Sequence, residues 1–285
     1  MYRDMRKRIS VMILVLLCVQ AFAQNADQAP FKASYERQVR NVGPAGVGVE
    51  TIINKWETAC PRDPDMFAAR FNLLFAKSKG TQVVQKEGRK YLGASPVLSL
   101  KDSLGREVNY FEVPVFTDSL YAGGMRAVDT AIDLRPQELR YRFYKITALL
   151  EYEGESPDMA AQELMSMIDA YTSSKGEGWT LDGKPSDEET FCQAVGEYCY
   201  SFFYLGTGQG YEYFLKVSQR MNKLYPRNTV FIDNIGSYWQ VAKGNARKAM
   251  KYYKKALKIN PDDYVAQKNI SIIQLSQSKK GRSSR

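Results

Sequence analysis

The chain has 285 residues, a formal net charge of +9 and no histidine. The charge gathers at the ends: residues 1–23 carry +3 and residues 279–285 carry +4, leaving +2 between them. So balanced a body lacks the basic face that nucleic-acid binding needs to displace counterions, and no nucleic-acid partner is expected. Without histidine the commonest general base and the commonest zinc ligand are both missing, so no catalytic role, cofactor or metal is expected.

The N-terminus holds Arg3, Arg6, Lys7 and Arg8, then an apolar run from Ile9 to Val19, then Ala21-Phe22-Ala23. This is the layout of a cleavable secretory signal over residues 1–23. The apolar run is shorter than the roughly 20 residues of a membrane helix. Leu17 disfavours lipid attachment at Cys18, and an uncleaved anchor is the other alternative. No later segment is apolar for long enough to span a bilayer. Cleavage leaves Cys60, Cys192 and Cys199. The last two lie seven apart on one predicted helix, about 10 Å, too far for a disulfide. They share a helix face and are expected to be buried thiols.

One helical repeat domain is predicted over residues 24–278. Phe31–Val42 and Val47–Cys60 form its first helix pair. Asp65–Lys77 opens the second, and residues 78–116 then break the helical pattern. Within that insertion Val97–Lys101 and Glu107–Val113 flank Asp102-Ser103-Leu104-Gly105, which predicts a β-hairpin. Thr117–Leu134 completes the pair. Gln137–Tyr152 and Asp158–Tyr171 form the third, with Ser156-Pro157 as a helix start. A second insertion, residues 172–187, has Trp179 at its centre. Ser186 to Glu189 reads as a capping box for the next helix. Glu188–Leu205 and Tyr211–Tyr225 make the fourth pair. The glycines between them, Gly206 to Gly210, follow a helix and precede no Lys-Ser or Lys-Thr, so they read as a turn and not a phosphate loop. Thr229–Asp263 holds the last pair, Asp263–Ser278 a terminal capping helix, and Lys279–Arg285 a basic, disordered tail.

A period runs through these pairs. Counting back 5, 8 and 12 residues from Pro261 gives Ala256, Tyr253 and Ala249. Pro136 gives Ala131, Val128 and Gly124, Pro226 gives Met221, Ser218 and Phe214, and Pro64 gives Ala59, Trp56 and Ile52. Offsets of three and four share a helix face, small residues there let two helices approach, and proline ends the helix. Pro226 and Pro261 are 35 residues apart. The gap from Pro64 to Pro136 is one 34-residue unit plus 38 residues, and that from Pro136 to Pro226 is two units plus 22, so one period with two insertions accounts for the chain. In this frame the lysines between Lys248 and Lys258 lie opposite an apolar stripe and form an ordinary solvated face.

A 34-residue helix–turn–helix unit with these positions resembles the tetratricopeptide repeat. The resemblance is clearest over Thr229–Asp263. Asn234-Ile235-Gly236, Trp239, Lys243-Gly244-Asn245, Ala249, Tyr253, Ala256 and Pro261 match the family pattern there, with one extra residue between Gly236 and Gly244. The whole chain is similar to exported repeat proteins of Gram-negative bacteria. The resemblance implies an all-α fold: a right-handed superhelix of about five helix pairs with a C-terminal capping helix. It implies a non-catalytic scaffold, exported to the periplasm or cell envelope, that binds a protein or peptide partner on its concave face. By position, Arg70, Phe71, Arg142, Tyr144, Glu197, Asn234 and Ser237 line that face. The family's clamp for a peptide carboxylate is not matched. The alternatives are a structural subunit of an outer-membrane assembly or secretion complex, and a carboxylate enzyme acting on envelope glycans.

Overall fold

The computed structural model describes residues 30–283, with side chains through residue 278. The expected signal lies outside these residues, as do the side chains of the basic tail. The chain divides into two units. One runs to Thr81 and resumes over Pro114–Lys145; the other comprises Gln82–Val113 and the chain from Ile146 onward.

The first unit opens with α1 (residues 30–42), α2 (Val49–Ala59) and α3 (Pro64–Ser78), and adds α4 (Asp118–Leu134) and the start of α5 (Leu139–Glu153). Val49, Ile53 and Trp56 of α2 meet Met66, Ala69 and Leu73 of α3 in a core that Phe31, Tyr35 and Val39 of α1 flank. Gly124 of α4 lies against the α3 backbone, where a Cβ would already touch Phe71 O and Phe75 N at about 3.5 Å. The small residue at this point lets the two axes approach closely.

The second unit holds most of the first insertion and the later helices: α6 (Asp158–Ser173), α7 (Glu188–Tyr204), α8 (Gly208–Leu224), α9 (Thr229–Ser237), α10 (Ala246–Ile259) and α11 (Tyr264–Ser283). The five expected pairs and the terminal helix are therefore present in chain order, and the fold is all-α apart from short strands. α11 runs past Ser278, where the helical domain was expected to end. In the last pair Ile232 of α9 packs on Ala249, Tyr253 and Ala256 of α10, and Ala266 and Ile273 of α11 close that core.

Four turns repeat in detail. In each, the amide one residue before a proline donates four residues back: Cys60 to Trp56, Arg135 to Ala131, Tyr225 to Met221 and Asn260 to Ala256. In each, the side chain two residues after the proline then accepts an amide of the next helix: Asp63 from Asp65, Glu138 from Arg140, Asn228 from Val230 and Asp263 from Ala266. Such caps satisfy donors that a helix N-terminus leaves free. The marker proline of the first pair is therefore Pro61 and not Pro64, which starts α3. Counting back from Pro61 gives Trp56, Ile53 and Val49, all buried, whereas Ala59 is exposed. A slip of three residues is close to one helical turn, so both registers show a similar apolar pattern. With Pro61 in place, the twelve residues at these offsets in the four pairs are all buried.

Two further starts differ from expectation. Met159 and Ala160 at the start of α6 donate to the Glu153 carboxylate from the end of α5, and Ser156 is not the cap. At α7 the cap is Asp187, whose Oδ1 accepts from Thr190 N at 2.8 Å. Ser186 is buried just outside the helix, with its carbonyl accepting from the Tyr171 hydroxyl.

The insertions are ordered. Strands β1 (Lys79–Lys86), β2 (Leu98–Lys101) and β3 (Glu107–Phe116) form a sheet in the order β1-β3-β2. The expected hairpin is its β2–β3 half, with Leu98 opposite Tyr110 and Lys101 opposite Glu107. Asp102 Oδ1 fixes the turn by accepting from Leu104 N and Arg106 N. In the second insertion β4 (Thr180–Leu181) and β5 (Lys184–Pro185) pair across Asp182-Gly183, both at positive φ, and Trp179 is buried.

Candidate partner-binding groove

The first helices of the fourth and fifth pairs, α7 and α9, bound a cavity of about 560 Å³. α7 contributes Glu189, Gln193, Gly196, Glu197 and Tyr200, a stripe at helical spacing. α9 contributes Val230 and Asn234, with its cap Asn228 at one end. Gly196 forms the floor, because a Cβ there would come within 3.3 Å of Val230 Cγ1. Two apolar groups open into the space: Tyr200 is 55% exposed and Val230 47%. The opposite side of α7 is core, with Phe191, Val195, Cys199 and Phe202 buried. Burial pushes the Cys192 and Cys199 thiols up to about 12, which keeps both neutral.

Of the residues predicted to face a groove, Glu197 and Asn234 line this one. Ser237 turns the other way, its hydroxyl 3.3 Å from the Tyr253 hydroxyl of α10. In the first unit Phe71 is core, stacked on Phe75 and Tyr144 at 5.4 and 5.8 Å between ring centroids, and only 2% exposed. Arg70 Nη2 is held by Glu57 Oε2 at 2.7 Å and Asn54 Oδ1 at 3.1 Å. Arg142 Nε donates to Pro136 O at 3.2 Å. Tyr144 lines a cleft of about 40 Å³ beside Asp65, Asn72 and Arg140, room for about one or two waters. Positional reasoning missed Glu189, Gln193, Gly196, Tyr200, Asn228 and Val230. The i, i+4, i+8 stripe through Glu189, Gln193 and Glu197 was the signal available.

The Asp65 carboxylate is the hub of the first unit. Lys32 Nζ reaches it at 2.8 Å, and Arg140 and the Tyr141 hydroxyl also donate to it. Burial pushes this carboxyl up, but hydrogen bonds from Lys32 and Tyr141 and the Arg140 charge outweigh it and hold it below the usual range.

The first insertion is fastened at one end of the groove. Tyr91 and Ala94 exchange backbone hydrogen bonds across Leu92-Gly93, and a Cβ on Gly93 would fall 2.5 Å from Tyr204 Cε1 at the end of α7. Lys86 Nζ pairs with Glu155 at 3.3 Å. No residue of the insertion lines the cavity.

No protein-family model and no curated protein matches the chain. Among solved structures the chain is similar to MamA from Desulfovibrio magneticus RS-1, at 12% identity and a TM-score of 0.40, over 84% of this chain and 97% of that one. A double mutant of MamA RS-1 gives 14% identity at the same score and coverage. The TPR domain of P58(IPK) gives 12% identity and a TM-score of 0.28, over 92% of this chain and 68% of that one. What decides the architecture is internal to the chain: helix pairs whose second members bury the same three offsets before a proline, each followed by a capped first helix. The fold is tetratricopeptide-like.

The last tetratricopeptide-like pair also accounts for its extra residue. Tyr238–Ala242 forms a π-helical turn, closed by Lys243 N donating to Tyr238 O at 3.3 Å. A π-turn takes in one residue without breaking the helix. The tetratricopeptide-like turn between α7 and α8 is likewise the expected one, with the Thr207 hydroxyl accepting from Gly210 N at 3.0 Å. Among the described residues no helix is long and apolar enough to cross a membrane.

Proposed function

We propose that the chain is a non-catalytic scaffold that binds a protein or peptide partner and works outside the cytoplasm, in the periplasm or cell envelope. The observation that carries the binding reading is the α7–α9 groove, with exposed Tyr200 and Val230 set among polar side chains that have few partners within the fold. First helices of stacked pairs commonly present such surfaces to extended segments. Its non-catalytic character is supported by the role of one carboxyl: Asp187, beside a cavity of about 460 Å³ in the second unit, is committed to capping α7 and is held low by the Thr190 amide. Export is supported by the basic, apolar and A-x-A order of residues 1–23.

Photocrosslinking in cells tests the binding reading. A crosslinker in place of Tyr200 is expected to capture one discrete protein partner, and one in place of Lys254 on α10 is not. Equal capture at both positions, or none at Tyr200, overturns it. Cell fractionation with N-terminal sequencing tests export: a mature chain starting at Gln24 outside the cytoplasm is expected, and an intact cytoplasmic chain contradicts it.

A further inference from the structure

We infer that the α7–α9 groove takes an extended segment with two basic side chains four positions apart, basic–x–x–x–basic. This rests on the scaffold reading and adds the chemistry of the partner.

The charge on the lining comes first. Glu189 and Glu197 line the groove and no lysine or arginine does. Among the described residues, no cation pairs with either carboxylate within the fold. The Glu197 carboxylate accepts from the Gln193 amide, at 3.5 Å. Elsewhere the surface carboxylates Glu50, Glu57, Asp169 and Glu212 each have a lysine or arginine of their own. The groove thus presents two carboxylates that no lysine or arginine among the described residues neutralises, and a basic partner would complement them.

Spacing then sets the pattern. Glu189 and Glu197 are eight residues apart on one helix, about 12 Å along its axis. An extended segment advances about 3.3 Å per residue and turns alternate side chains to one side, so residues i and i+4 stand about 13 Å apart facing the same way. Residue i+2 falls between them at the level of Gln193, so the lining fixes the two basic positions and leaves the middle one open. At the Glu197 end the Tyr200 ring is exposed for the stem of a lysine or arginine to lie across. The amides of Gln193, Asn228 and Asn234 flank this path and suit the backbone of an extended chain.

Selection from a random peptide display library on the full chain, with Gln193→Trp as the groove-filled control, tests this. Peptides with basic residues four apart are expected on the native chain and not on the control. A synthetic peptide of that pattern should lose about tenfold in affinity against Glu189→Gln/Glu197→Gln, and should lose its salt dependence. Charge-reversed and i, i+3 spaced versions should bind more weakly. If control-sensitive peptides emerge without the basic pattern, or the double variant binds unchanged, the chemistry is overturned while the scaffold reading stands. If no peptide depends on the groove, both fall.

Discussion

Gly236 of α9 lies against the ring of Tyr253 in α10: a Cβ at Gly236 would fall 2.6 Å from Tyr253 Cε1, a separation that side chains do not tolerate. Tyr253 is fully buried, and its hydroxyl donates to Gln240 Oε1 at 2.7 Å, so the ring is held from both ends. Gly236→Ala gains helix propensity but overpacks this contact, and the net loss should be about 1–2 kcal/mol. Urea unfolding of the variant measures it. In a Tyr253→Leu background the same substitution should cost clearly less, because the ring it strikes is gone.

Asp233 gives the last pair a dependence on pH. Its carboxyl is 3% exposed, and burial first, then the Asp263 charge and the hydrogen bond to Asp263, push it up to about 8. A raised folded value means stability that is full below the unfolded value near 3.9 and is lost as pH rises through about 8. Native stability should therefore fall between pH 4 and pH 8. Asp233→Asn keeps a donor toward Asp263 without the charge. It should flatten this slope and be more stable than the native chain at pH 8 by at least about 1 kcal/mol. Thermal melts across that window decide it.

Asp65 has the opposite sign. Its carboxyl is held low by Lys32, Tyr141 and Arg140 against the effect of burial, so its contribution is present above the unfolded value and is lost as pH falls through the folded one. Asp65→Asn leaves Arg140, whose side chain is only 19% exposed, without this counter-charge. The loss should be roughly 2–3 kcal/mol at pH 7. It should shrink toward zero in strong acid, where the native carboxyl is itself protonated. Hydrogen exchange of the first unit as a function of pH reads both.

Equivalent caps should differ in weight. Asn228 accepts the Val230 amide, and Asn228→Ala should cost about 1 kcal/mol. Asp63 accepts the Asp65 amide and also the Trp56 indole N–H at 2.8 Å. Asp63→Ala strands that buried donor and should cost about 2–3 kcal/mol. Exchange rates in the first turns of α3 and α9 would rank the two; equal losses would deny Trp56 its dependence on the cap.

Much of this fold was legible in the sequence because burial of one helix face has a period that survives insertions. Ala249, Tyr253 and Ala256 could be read from spacing alone. The first pair was read three residues out of register because both candidate prolines, Pro61 and Pro64, follow an apolar helix; the exposure of Ala59 and the start of α3 at Pro64 separate them. The β4–β5 hairpin carried its own signal in Asp182-Gly183, a two-residue turn with both residues at positive φ, although its strands are only two residues long and show no alternating pattern. The groove was partly visible. Glu197 and Asn234 follow from their place on first helices, but the same rule also gave Phe71, which lies in the core. Position along a helix gives its face, and only the neighbouring helices decide whether that face is covered.

The most direct test of the central claim repeats the Tyr200 photocrosslink in a chain that also carries Gln193→Trp, an exposed substitution that fills the groove without entering the core. The account predicts that the captured partner disappears while folding, measured by thermal unfolding, is unchanged. Undiminished capture with the groove filled would contradict it.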